Sequence, residues 1–172
     1  MTHPDVAIDL EIQLDHSQVY IYSGDSWGTG PNGHDSVLLA LDDARQSERF
    51  VGVVDGLIDL VTPVQWNLHA PMRVERWPTE PSSDDENWDH VVDVDLDVPD
   101  GKLSFMASGG WAAIPCEVPP GNYRARVSGR GYDAARSGAE GMDSYRLRLW
   151  SRAADRSPEL RKSWPGWKDT GW

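Results

Sequence analysis

Apolar and polar positions alternate with a period of two along much of the chain. Val6, Ile8, Leu10, Ile12 and Leu14 are set apart by mostly polar neighbours, which predicts a strand with one core face and one wet face. Val19 to Tyr22 is β-branched and aromatic and runs into a turn at Ser23-Gly24-Asp25. Phe50 to Val54 and Leu57 to Val61 flank Asp55-Gly56, a dipeptide suited to a type I′ hairpin. Val64, Trp66 and Leu68 alternate again, and Pro71 separates them from Met72 to Trp77. The cleanest alternation follows a polar loop over 78–87. Trp88, His90, Val92, Val94, Leu96 and Val98 share one face, and Asp89, Val91, Asp93, Asp95 and Asp97 share the other.

Further strands are predicted at Leu103 to Ser108, Trp111 to Val118, Asn122 to Gly131 and Tyr145 to Trp150, joined by Gly- and Pro-rich turns. A flexible connection is expected over 133–141. Residues 35–49 are the one helical candidate, with Asp35 or Ser36 as N-cap, and a strand pair is an equal alternative there. Many short strands with little helix predict a mostly β fold: an antiparallel β-sandwich or open barrel with at most one short helix. The length of 172 residues suits a single β domain over 1–172. Its tail, 151–172, is basic at first and then Trp-rich, and is expected to pack on the domain.

Charge narrows the partners. The net charge is −12 and unevenly spread: residues 1–60 hold eleven acids and two bases, and 79–101 hold nine acids with no Lys or Arg. From residue 102 onward twelve bases face seven acids. This balance disfavours nucleic acid and anionic membrane and favours a basic protein or plain solubility. The longest apolar run, Val37 to Leu41, is too short to span a bilayer, and the opening Met-Thr-His-Pro-Asp carries no secretory pattern. With Cys116 as the single cysteine, no internal disulfide can form and a reducing cytoplasm is expected.

Candidate chemistry is sparse. No frame around Asp84, Asp85, Glu86, Asp93, Asp95 and Asp97 supplies the Gly and Glu of an EF-hand loop. The simpler reading is a solvated acidic face that pairs with the Arg faces of 124–130 and 146–148. His3, His16, His34, His69 and His90 show no HxH or HExxH spacing, so no metal or cofactor is expected. Ser26, Ser108 and Ser128 lie near glycines without a nucleophile elbow, and Cys116 reads as a small buried hydrophobe, so no catalytic residue is assigned. The chain has nine tryptophans. Trp66, Trp88 and Trp111 fall in predicted strands and read as core. Trp27, Trp77, Trp164, Trp167 and Trp172 fall in loops or the tail, where rings either plug the fold or serve as contact residues.

The run Val118-Pro119-Pro120-Gly121-Asn122-Tyr123-Arg124-Ala125-Arg126-Val127, then Gly129 to Asp133, then Tyr145-Arg146-Leu147-Arg148-Leu149-Trp150, resembles a group of uncharacterised, often actinobacterial, β proteins. Those are distantly similar to the competence protein J family, inhibitors of a DNA-entry nuclease. The resemblance lies in scaffold residues and carries over no inhibitory position. It implies a non-catalytic acidic binding protein, an inhibitor or immunity factor masking a basic nuclease or toxin. The partner-binding residues expected on that reading are Asp84, Asp85, Glu86, Asp93, Asp95, Trp77 and Trp27. The alternative is a small-molecule or carbohydrate-binding β domain that uses loop tryptophans.

Overall fold

The computed structural model describes residues 2–24, 35–54, 56–138 and 141–172. Within them the chain runs β1 Val6–Asp15, β2 Gln18–Ser23, α1 Ser36–Gln46, β3 Val51–Val54, β4 Leu57–Val61, β5 Trp66–Trp77, β6 His90–Val98 and β7 Lys102–Ala107. It continues with β8 Ile114–Glu117, β9 Gly121–Arg130, α2 Tyr132–Arg136, β10 Ser144–Ser151 and β11 Glu159–Lys162. The strands form one curled sheet in the order β11-β6-β9-β10-β5-β1-β2-β4-β3, and β7 joins β2 and carries β8. This is a mostly β open barrel. Its ladders are antiparallel except one: β10 runs parallel to β5.

The curl begins at the β1–β2 turn. His16 and Ser17 both have positive φ, 52° and 59°, the backbone of a tight hairpin turn whose twist matches its strands. A single pairing, Asp15 with Gln18, joins the two strands before they part. β2 then pairs with β4 and β7 instead. The sheet therefore doubles back, and one continuous apolar cluster fills the space between its wings. Ile12, Val74, Val94 and Leu147 come from one wing, and Ile21, Ile58, Leu60 and Phe105 from the other.

Residues 36–46 form a helix and not the alternative strand pair. The Asp35 carboxylate accepts the Val37 N–H at 2.9 Å and caps it. The helix lies directly on β3: a Cβ on Gly52 would stand 1.7 Å from the Ala40 carbonyl oxygen. Only glycine permits this approach.

Three expectations change. Pro71 does not divide its segment, because β5 is one strand of 12 residues. Pairing with β10 starts only at Met72, so Pro71 sits where β5 has a neighbour on the β1 side alone, the setting in which a strand tolerates proline. Trp111 to Ala113 lie outside any strand, and β8 begins at Ile114. The connection after β9 contains α2, and the tail contributes β11 to the β6 edge and a 3-10 turn over Pro165–Asp169.

Candidate interaction surfaces

The outer face of the β6-β9-β10 region was expected to be wet, yet its charged side chains are largely interior. Asp93 stands directly opposite Arg126, and Asp95 opposite Arg124. Arg126 grips Asp93 with two bonds of 2.7 and 2.9 Å, and the two side chains are 1% and 2% exposed. Arg124 donates to Asp95 at 2.8 Å and to the carbonyls of Arg156 and Ser157. The segment 78–89 crosses this face as a strap and supplies more carboxylates. One oxygen of Asp84 serves both Arg146 and Arg148, and Asp85 accepts from Arg161 at 2.9 Å. The Arg146 and Arg148 guanidinium groups help hold the Asp84 carboxyl below its usual range, against the upward push of its partial burial.

Each carboxylate expected to face a partner now has a place. Asp93 is interior, and Asp95, Asp84 and Asp85 are committed to arginines on the chain itself. Glu86 is exposed and has no ion pair among the described residues. Trp77 is half-buried, with its indole N–H on Glu75 at 2.9 Å. Trp27 lies outside the described residues. Isolated alternation identified the charged rows but gave no sign of the strap that covers them.

Two of the three tryptophans read as core are instead exposed. Trp164 and Trp167, in the tail, are buried, whereas Trp66 and Trp111 are 57% and 47% exposed. Trp88 is buried as expected. Trp66 pairs across the ladder with Asp15, so both side chains project to the same side of the sheet. The Trp111 indole N–H donates to that same Asp15 carboxylate at 3.3 Å. Two half-exposed indoles thus lie beside one carboxylate at the β1–β5 rim. That carboxylate is itself 17% exposed and stands 3.1 Å from the His16 Nδ1, and the exposed rings suit a basic side chain through cation–π contact.

The buried tail tryptophans converge on His90. Its Nε2–H donates to the Arg49 carbonyl at 2.5 Å, and Nδ1 accepts the Trp164 backbone N–H at 3.2 Å and the Trp167 indole N–H at 3.1 Å. Burial lowers its pKa to about 4. Trp167 also stacks on Phe50, with ring centroids 4.0 Å apart. His90 is therefore a fully satisfied interior histidine. Asp59, under α1 and opposite Gly52 and Tyr20, is wholly buried, with neither carboxylate oxygen hydrogen-bonded among the described residues. Burial pushes its pKa well up, because desolvation disfavours the charged form.

Cys116 is buried, and burial raises its thiol to about 11. Ser128 is also buried, with its hydroxyl unpartnered among the described residues. Ser108 accepts a 3.1 Å hydrogen bond from Tyr20, and Ser26 lies outside the described residues. Among the described residues no group of three or more His, Cys, Asp or Glu side chains is placed to hold a metal ion. No described helix is long and apolar enough to cross a membrane.

The geometry defines a curled β scaffold with an internally paired charge layer and an exposed aromatic corner. Two solved structures share that scaffold. ComJ from Bacillus subtilis, described as an inhibitor of the DNA degrading activity of NucA, is 18% identical. It matches with a TM-score of 0.56 over 88% of this chain and 99% of its own. The product of crocagin biosynthetic gene J is 16% identical, with a TM-score of 0.58 over 86% of this chain and 97% of its own. The chain therefore resembles the ComJ family distantly, in fold. No protein-family model and no curated protein matches it.

Proposed function

We propose that this chain is a non-catalytic acidic binding protein that masks a basic protein partner, a nuclease or toxin. The observation that carries this reading is the charge that survives internal pairing. Asp35, Asp42, Glu48, Glu86, Asp100 and Glu117 are exposed, and none takes part in an ion pair among the described residues. With a net charge of −12, they would attract a basic surface and speed encounter. The fold shared with ComJ, an inhibitor of NucA, supports the choice of a nuclease as partner class. On this reading the corner of Trp66, Asp15 and Trp111 supplies the short-range contact. Glu86 and the partly exposed edges of Asp84 and Asp85 contribute attraction at longer range, while Asp93 and Asp95 serve the scaffold. A reducing cytoplasm suits a chain whose one cysteine is buried.

The reading is tested by immobilising the chain, capturing from lysate of its own source, eluting with a salt gradient and assaying the eluate for DNA degradation. The expected result is a basic nuclease released at moderate salt, with its activity suppressed by an equimolar amount of the chain. A captured nuclease whose activity the chain leaves unchanged, or an eluate without a basic protein, contradicts it.

A further inference from the structure

A cavity of about 330 Å³ opens on the outer face between β1, β5, β9 and β10, under Trp88. Pro71 and Trp88 give it apolar lining on that face, Leu10, Met72 and Tyr145 border it from strand positions whose side chains belong to the core, and Arg73, Arg130 and Arg146 bring three guanidinium groups to it. The three differ in how far the protein has already neutralised them. Arg73 is saturated: it holds Asp9 at 2.9 and 3.0 Å and Glu75 at 2.7 Å. Arg146 shares a single oxygen of Asp84 with Arg148, and its Nε is buried without a partner among the described residues. Arg130 has no carboxylate among the described residues, and its Nε donates only to the Ser144 hydroxyl at 3.2 Å. Four arginines (73, 130, 146 and 148) thus meet three carboxylates (Asp9, Glu75 and Asp84), a local positive surplus in a molecule of net charge −12.

The two under-neutralised groups are also held in place. The Arg130 and Arg146 guanidinium carbons lie 4.9 and 4.4 Å from the centre of the Trp88 ring, so stacking fixes both without consuming their hydrogen-bond donors. Crowding is felt next door: burial and then the neighbouring Arg146 cation push the Arg148 pKa down. An oxyanion at the cavity mouth would relieve this surplus and take up the idle donors.

We propose that this cavity binds the oxyanion of a small organic acid, a carboxylate or a phosphate monoester, between Arg130 and Arg146, with the acid's apolar body against Pro71 and Trp88. Arginine forks match both head groups. The volume is at the lower end for ligand pockets, which suits a single ring or a short chain. This site is separate from the protein-contact corner and stands or falls independently of the masking function.

The test is calorimetric titration of the chain with benzoate, with phenyl phosphate and with neutral benzyl alcohol. It is repeated on Arg130→Gln, a replacement at an exposed position. The expected result is saturable one-to-one binding of at least one anion, weakened about tenfold or more in Arg130→Gln, with no saturable binding of the alcohol. A preference for benzoate assigns the site to carboxylates, and a preference for phenyl phosphate assigns it to phosphate monoesters. No saturable binding of either anion up to about 10 mM overturns the proposal, as does equal affinity in the variant.

Discussion

His90 shows how one residue can settle the protonation state of a whole packing arrangement. Its Nδ1 accepts two N–H donors, from Trp164 and Trp167, while Nε2–H serves the Arg49 carbonyl. A proton on Nδ1 would set three N–H groups against one another, so the native ring must stay neutral. The sign follows: the folded pKa, about 4, lies below the ordinary value, so the unfolded chain takes up a proton that the native chain refuses. Stability on this account is full above about pH 6.5 and declines as pH falls toward 4, by about 3 kcal/mol over the whole window. Urea unfolding of the wild type and His90→Gln across pH 4–7 checks this. The variant is expected to lose the histidine's share of the slope, and equal slopes would contradict it. The sequence placed His90 on the apolar face of its strand, which was correct. The two tryptophans that close over it could not be read, because their contacts lie more than 70 residues away.

At the scale of elements, the join between β6 and β9 is the best place to separate structural charge from functional charge. Asp93 and Arg126 are fully interior and bidentate. Removing one partner leaves a buried ion without its counter-charge and is expected to cost about 3–5 kcal/mol, whereas replacing both by apolar residues is expected to recover most of that loss. Thermal unfolding of Asp93→Leu, Arg126→Met and the double variant measures the coupling, and additive losses would show that the pair is not a unit. Glu86→Gln, at an exposed strap position, is expected to shift stability by less than about 0.5 kcal/mol.

The alternation of Asp and Val in β6 and of Arg and small residues in β9 was legible as two amphipathic strands, and their mutual pairing was foreseen. What period-two reading misses is a third layer. The strap 78–89, with Glu80, Asp84 and Asp85, reads as a polar loop but roofs the charged face. β11 was hidden for a related reason: Glu-Leu-Arg-Lys has no apolar alternation of its own, and it is a strand because the β6 edge accepts it. Pro71 misled in the opposite direction, since proline interrupts a strand only where its missing N–H is needed.

For the whole molecule, the mostly β class was readable from pattern and turn chemistry, α1 was readable only as one of two alternatives, and the scaffold motif around Val118 to Trp150 pointed to the ComJ likeness seen in the fold. The proposed contact corner was not readable. Trp66 and Trp111 sit in segments that alternate like core strands, but Trp66 lies at the start of β5 and Trp111 in the loop before β8. Both are therefore exposed beside Asp15, while the tail tryptophans fill the interior. Charge works at a longer range than any of these contacts. A carboxylate surplus raises the rate of encounter with a basic partner, and salt screens it.

The most direct measurement is stopped-flow association of the chain with the basic nuclease proposed as its partner, from low to physiological salt, for the wild type and for Trp66→Ala/Trp111→Ala. The expected result is a wild-type association rate that falls steeply with salt. The double variant is expected to associate at nearly the same rate but dissociate about a hundredfold or more faster, as loss of hot-spot residues does. A salt-independent association rate, or a double variant that dissociates like the wild type, would contradict the acidic masking function or its aromatic contact corner respectively.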